Sequence, residues 1–316
     1  MPITVTPAAL NESARKFRMQ LLMMTLIGLE PTLKHMTLRT GIRYEEIVGE
    51  LSGAAELEPY KGTVPEDSDF AIKGRTLATH LGQCVKLADP NSLISTLYGS
   101  AVTSGKQIEA AAINKSIIAQ IMRKISQGLN QNIFSAVRNP SGTETSDLFD
   151  GFDKIVADEI TATNLTVLLG NYMEIAAITD SNAVDIFKSI YNGSSDELQG
   201  IKTKMFIPRA AYNSYNEDYK TTTGGIPYNT EFKKTFLEGT ENMCELVPLI
   251  GKKGSPHIQL TTKENTLVGT NLIGDYEKIE VRRGDNPFKL QFISTMFFGT
   301  QFESLSKEVF MNAKIV

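Results

Sequence analysis

The chain has 316 residues, 41% of them hydrophobic and 22% charged, with a formal net charge of -4. This composition can bury a sizeable core and excludes wholesale disorder, and the slight acidic balance excludes a strongly basic nucleic-acid-binding domain. The two cysteines, Cys84 and Cys244, are too few for a disulfide framework or a thiolate zinc site and suit a reducing cytoplasm.

No run reaches the ~18 uninterrupted apolar residues of a membrane-spanning helix. Arg15, Lys16 and Arg18 before the apolar stretch 19–27 imitate a signal peptide. However, Asn11 and Glu12 precede the basic cluster, and Gly28-Leu29-Glu30-Pro31 offers no small-x-small cleavage site. Leu10, Ala14, Phe17, Leu21 and Thr25 fall three or four apart, which predicts an amphipathic helix ended before Pro31. Residues 41–51 read as a strand with two mixed faces, Ile42, Tyr44 and Val48 against Arg43, Glu45, Ile47 and Leu51. Residues 52–69 carry loop chemistry, with Gly53, Pro59, Gly62, Pro65, Asp67 and Asp69. Residues 75–87 alternate again, with Leu77, Leu81, Val85 and Leu87 sharing one face. Two strands around a long polar tip make a ribbon that cannot bury much of itself. It must pack on the body or be covered by another subunit.

From about Thr103 to Val137 there is no proline, and Ile113, Ile117, Ile121, Ile125, Leu129 and Ile133 recur every fourth residue, with Ile118 and Met122 widening the stripe. This predicts one long single-stripe helix, stopped by Asn139-Pro140-Ser141-Gly142. The second half is mixed. A helix is expected over 183–191 behind Asp180 and Ser181, a strand over 204–207, and a helix from Pro208 carrying Ala211, Tyr212, Tyr215 and Tyr219. Strands are expected over 245–250, 257–261, 266–269, 278–282 and 288–303. Helices and strands do not alternate as in a doubly wound sheet, so the class is α+β.

The candidate chemistry is thin. Gly99 to Gln107 imitates a phosphate loop, but five residues separate Gly99 from Gly105, and Gln107 stands where a hydroxyl is needed. Asp147, Asp150, Asp153, Asp158 and Glu159 could hold a hard cation, yet their spacing is not that of a calcium loop, and a solvated acidic segment is the plainer reading. His80 and Cys84 are about 13 Å apart at strand rise, too far for a nucleophile–base bond. Lys252, Lys253, Arg282 and Arg283 read as solvated turns or strand ends before they read as a nucleic-acid patch. With no catalytic, cofactor or metal constellation, the projecting parts point to self-association.

The order of parts resembles the major capsid proteins of tailed phages, the Hong Kong 97-type shell fold. Phe149-Asp150-Gly151-Phe152 is similar to the Phe-x-Gly turn after that family's spine helix. Lys204-Met205-Phe206-Ile207-Pro208 with Tyr212 and Tyr215 is similar to its strand-then-helix segment. Residues 257–269, with Asn265-Thr266-Leu267-Val268-Gly269, resemble a late axial strand pair, and 288–310 resemble the long returning strand. The resemblance implies an N-terminal arm over 1–40, an extended β-hairpin loop over 41–90, and a peripheral domain with the spine helix over 91–160. A mixed axial domain over 161–285 and a C-terminal strand returning to the peripheral domain over 286–316 complete it.

The implied function is structural: pentamers and hexamers closing into an icosahedral shell around double-stranded DNA, without sequence-specific binding, enzymatic activity or a cofactor. The shell would be part of the virion, assembled in the cytoplasm of a bacterial host. Separate scaffolding, portal and decoration proteins would be its partners, and no membrane. Glu45, Glu46, Glu56, Glu58, Lys61, Glu66 and Asp67 are expected to set register by pairing with a neighbouring copy. Three other readings stay open: an encapsulin-like nanocompartment shell, a tail or baseplate protein, and a metal-dependent hydrolase using the 147–159 carboxylates.

Overall fold

The computed structural model describes residues 29–52, 71–88, 110–223, 236–271, 279–283 and 289–316. The helix expected over 10–25, the tip of the ribbon and the start of the long helix before residue 110 lie outside them. The first described residues, 29–33, are helical, so the chain is helical on both sides of Pro31, where a helix end was expected. The Lys34 N–H donates to the Glu30 carbonyl at 2.9 Å. Proline holds a helical φ and removes only its own N–H, so the turn behind it still closes.

Strand β1 (Thr37–Thr40) pairs in parallel with β9 (Thr266–Thr270), which pairs antiparallel with the second half of β11 (Leu290–Phe302). The first half of β11 lies between β10 (Ile279–Arg283) and β4 (His80–Ala88). These strands make a five-stranded sheet. The second five-stranded sheet runs β5 (Tyr172–Ile175), β12 (Phe310–Ile315), β8 (His257–Thr261), β6 (Thr203–Pro208), β7 (Cys244–Leu249). The ribbon is separate: β2 (Glu45–Ser52) runs antiparallel to β3 (Ala71–Ala78), Glu45 opposite Ala78 and Ser52 opposite Ala71.

The strand expected from residue 41 begins only at Glu45, because Gly41 and Tyr44 take positive φ values of 85° and 71°. The single strand expected over 75–87 is two strands broken at Thr79. There the Thr79 N–H donates to the Tyr44 carbonyl at 2.6 Å, one pair beyond Glu45 opposite Ala78. The break divides the expected apolar face. Leu77 is fully buried with Ile42, Val48 and Leu267, whereas Leu81, Val85 and Leu87 stand exposed on β4.

Helix α1 (Ala110–Asn132) has 23 described residues and ends five short of Val137. The Asn132 Nδ2 donates to the Gly128 carbonyl at 2.8 Å, and the chain then turns so that Ile133 and Phe134 are wholly buried. The buried stripe keeps Ile125, Leu129 and Ile133 of the every-fourth pattern and shifts to Met122 before them. Each four-residue step rotates about 40° past a full turn, so such a stripe winds off the contact face. The side chains that face the core are Met122, Ser126, Leu129 and Ile133, while Ile121 is only half-buried.

Helix α2 (Phe152–Thr161) follows a turn in which Phe149 and Phe152 are fully buried. The Gly151 N–H donates to the Ala136 carbonyl at 2.9 Å and the Asp153 N–H to the Phe134 carbonyl at 3.0 Å. A Cβ on Gly151 would stand 2.3 Å from the Phe134 carbonyl oxygen, so the close approach requires glycine.

The second sheet is buried on both faces. Phe206, Val247 and Phe310 pack with the end of α1, α2 and the first sheet in one core. On the opposite face Met205, Ile207, Leu246, Ile258, Leu260 and Met311 pack with α3 (Ala183–Asn192) and α5 (Arg209–Thr223), where Phe187 stacks on Tyr215 at 5.5 Å. A short α4 (Asp196–Gln199) follows α3. Asp180 and Ser181 do not cap α3; its N-cap residue is Asn182, and the Val184 N–H donates to Asp218 Oδ2 on α5 at 2.8 Å. Segment 286–316 contains two strands, β11 in the first sheet and β12 in the second.

Candidate assembly surface

The ribbon leaves the body over a notch made of two glycines. Gly269 and Gly299 are register partners on β9 and β11. A Cβ on Gly299 would lie 2.0 Å from the Ala78 carbonyl oxygen, and one on Gly269 would lie 2.8 Å from Thr79 Cγ2. The crossover from β3 to β4 therefore rests in a groove that any side chain would fill. Beside it, Arg75 on β3 ties the ribbon down: Nη2 donates to Glu159 Oε1 at 2.7 Å and to Gln301 Oε1 at 3.1 Å, and Nε donates to the Phe302 carbonyl at 3.1 Å. Arg75 uses its forked donors on a carboxylate, an amide and a main-chain oxygen together.

Of the residues expected to set register with a neighbour, Glu45 is exposed and Glu46 half-buried at the root of β2. Glu56, Glu58, Lys61, Glu66 and Asp67 lie outside the described residues. Ile47 on β2 is 77% exposed. An exposed apolar face lies on β4, where Leu81, Val85 and Leu87 are exposed and Ile293 of β11 lies opposite Val85. A second apolar feature was not anticipated from the sequence: Val167, Leu168 and Leu169 are 67%, 96% and 50% exposed at consecutive positions between α2 and β5. The signal was a run of three aliphatics between Thr166 and Gly170 without helical or strand period.

The 147–159 carboxylates do not converge; each meets a different group. Asp147 Oδ2 accepts from the Glu144 N–H and Asp150 Oδ1 from the Arg138 N–H. Asp158 pairs with Lys154, Glu159 with Arg75, and Asp153 with Lys252. Among the described residues no three His, Cys, Asp or Glu side chains are grouped to hold a metal ion.

The Lys252 position corrects the sequence reading, which put it in a solvated turn. Its side chain is wholly buried. Nζ donates to Asp153 Oδ1 at 2.6 Å, to the His257 carbonyl at 2.8 Å and to Ser255 Oγ at 3.4 Å, and it sits 4.6 Å from the Phe134 ring centroid. Gln259 Nε2 donates to the same Asp153 oxygen at 3.0 Å, and Asn312 Nδ2 meets His257 Nδ1 at 3.3 Å. His257, Gln259 and Thr261 form the polar side of β8, a face that sequence alternation would assign to water. Here it is buried: Gln259 meets Asp153 of α2, His257 meets Asn312, and Thr261 Oγ1 donates to the Val309 carbonyl. Burial pulls the Lys252 ammonium below its usual pKa while Asp153 opposes it, and burial lowers His257 to about 4. A parallel junction ties residue 35 to the second sheet, with Glu245 accepting from Lys204 and lying 3.6 Å from His35 Nδ1. Burial lowers His35 to about 4 as well.

Neither thiol is an activated nucleophile: burial raises Cys84 above its ordinary value and pushes Cys244 up to about 12. No described helix is long and apolar enough to cross a membrane.

No protein-family model matches the chain, and no curated protein sequence matches it. The fold does match solved structures. The chain is similar to a structure of the satellite phage P4 procapsid including size determination (Sid) protein, with a TM-score of 0.59 at 11% identity, over 92% of this chain and 89% of that one. It is similar to the capsid of a native GTA particle, with a TM-score of 0.56 at 10% identity, over 90% and 89%. It is also similar to the holo-SrpI encapsulin complex from Synechococcus elongatus, with a TM-score of 0.50 at 11% identity, over 90% and 86%. The mixed helix-and-sheet fold is thus that of phage capsid subunits and, by the last match, of an encapsulin.

Proposed function

We propose that the chain is the major capsid protein of a tailed bacteriophage or prophage, assembling as pentamers and hexamers into an icosahedral shell that encloses double-stranded DNA. The observation that carries this reading is the fold likeness to phage capsid subunits over nearly the whole length of both chains. Three features of the molecule support it. The ribbon is rooted to the body by Arg75 but leaves Ile47 exposed, apolar side chains stand outward on β4 and at 167–169, and the 147–159 carboxylates are engaged one by one in structural bonds.

In this reading the fold is the Hong Kong 97 type. The N-terminal arm spans 1–40, the extended loop 41–90 and the peripheral domain 91–160, with α1 as its spine helix. The axial domain spans 161–285 and the returning segment 286–316. The ribbon lies over a neighbouring copy, with Glu45, Glu46, Glu56, Glu58, Lys61, Glu66 and Asp67 setting its register. Closed symmetry makes many weak contacts add to a stable container. The shell is part of the virion, is assembled in the host cytoplasm and meets separate scaffolding, portal and decoration proteins. It has no catalytic role.

Electron microscopy of the expressed chain tests this. Closed particles are the expected result; rings or tubes would instead indicate a tail or baseplate part. Deleting residues 53–69 should leave a soluble, folded subunit and abolish closed particles. A second reading, an encapsulin-like compartment, is favoured by the likeness to the Synechococcus shell protein. Purified particles that hold an enzyme and no DNA would select it.

A further inference from the structure

The aliphatic run at 167–169 is displayed, not merely left over. The turn that carries it is tied at both ends. The Thr166 N–H donates to Asn171 Oδ1 at 3.1 Å, and Asn171 Nδ2 donates to the Asn164 carbonyl at 3.0 Å and the Leu305 carbonyl at 2.9 Å. Inside the turn, the Leu169 N–H donates to the Thr166 carbonyl at 3.2 Å and the Gly170 N–H to the Val167 carbonyl at 3.1 Å. Asn171 is buried. A rigid turn of this kind fixes Leu168, at 96% exposure, as an apolar knob. Apolar side chains held in water at fixed positions mark an interaction site when they are contiguous.

We infer that this knob docks on the exposed face of β4 in a second copy of the chain, against Leu81, Val85 and Leu87. The inference rests on the shell reading and names one of its subunit contacts. Two observations select a second copy. First, the same chain carries both halves of the contact: an exposed aliphatic turn, and an exposed aliphatic strand face where Val85 and Ile293 are cross-strand neighbours. Second, the area is too small for a free-standing pair. Three aliphatic side chains cover on the order of 300 Å², against about 800 Å² per partner in a stable pairwise interface. Such a contact holds only when repeated. Knob and face are different patches, so the contact is heterologous and propagates from copy to copy around a ring.

Cysteine trapping in assembled particles tests the contact. Cys84→Ser serves as the background, and Val85→Cys and Leu168→Cys are added singly and together. Mild oxidation of the double variant should give a ladder of covalent dimers, trimers and larger species on a denaturing gel, with both single variants remaining monomeric. Leu168→Asp should keep the helical circular-dichroism signal of the parent while particle yield falls at least about tenfold, the factor for losing ~1.4 kcal/mol of association energy. Closed particles without a ladder, a dimer from Leu168→Cys alone, or parental particle yield from Leu168→Asp would each overturn the contact and leave the shell standing. If the unaltered chain forms no closed particle, the shell reading falls and this contact falls with it.

Discussion

Lys252 Nζ lies 2.6 Å from Asp153 Oδ1 with the lysine side chain wholly out of water, so a charge from the 250–257 turn is neutralised by a charge from α2 inside the core. Breaking such a pair on one side leaves a buried charge without its partner, which costs about 3–5 kcal/mol. Asp153→Ala should therefore unfold the subunit at much lower denaturant than the parent. Lys252→Met should cost less, because Gln259 Nε2 still donates to Asp153 Oδ1. Chemical denaturation of the two variants checks the order; equal midpoints would mean that the pair is not what holds the junction.

The core-facing stripe of α1 predicts a contrast between neighbours. Met122 is 2% exposed and next to Ile121, which is half-buried. Met122→Asp puts a carboxylate into apolar packing and should give insoluble protein, while Ile121→Asp should stay largely soluble. Soluble yields from parallel expression decide it, and the reverse order would place the contact face wrongly.

Acid should weaken the subunit before it protonates surface carboxylates. Burial first of all holds His257 and His35 at about 4 in the folded chain, against 6.5 when unfolded. Because the unfolded chain binds these protons first, the contribution is fully present above pH 6.5. It is lost as pH falls from 6.5 to 4, and levels off below that. Each group accounts for at most about 3 kcal/mol. Unfolding midpoints between pH 7.5 and 4 should fall in that window, and His257→Gln should flatten part of the slope.

Gly299→Ala tests the notch. The added Cβ would meet the Ala78 carbonyl oxygen at 2.0 Å, a main-chain atom that cannot swing aside. The crossover from ribbon to sheet must then shift, and thermal stability should drop by several degrees or folding should fail. Gly200→Ala is the control: its Cβ would stand 3.4 Å from the Asp196 carbonyl oxygen and should be tolerated.

Arg75→Ala should leave the body folded at a cost of about 1.5–3 kcal/mol, the range for bonds that involve a charged group. The ribbon's root should loosen. Hydrogen exchange at amides 74–78 should quicken relative to those of β9, and unchanged protection there would show that the ladder alone fixes the ribbon.

Periodicity carried most of the element pattern. Strand β8 was read at its observed bounds, α3, β6 and β7 to within one residue, and the start of α5 to within one residue. The failures have physical causes. Strands β1, β5 and β12 are short or lie in mixed-polarity runs, and their existence depends on β9 and β8 being there to pair with. The break at Thr79 was hidden because alternation continues through it; only the positive φ of Tyr44 and the glycine notch turn the chain. Lys252 looked solvated because a Gly-Lys-Lys-Gly turn is ordinarily outside, and nothing local marks Asp153 as its partner 99 residues away. Of the proposed assembly surface, half has a signal in the sequence. The ribbon announced itself by its inability to bury both faces, while the 167–169 turn has no period and is visible only once its exposure is known.

Strand β4 is in register with β11 over nine consecutive residue pairs, from Ala88 opposite Leu290 to His80 opposite Phe298. A tug transmitted along the ribbon through β3 enters β4 lengthwise, so those bonds share the load simultaneously instead of opening one after another. The ribbon is thus fastened in shear, the direction in which a ladder of hydrogen bonds yields last. Pulling along β4 should require a greater rupture force than peeling β10 from the opposite edge.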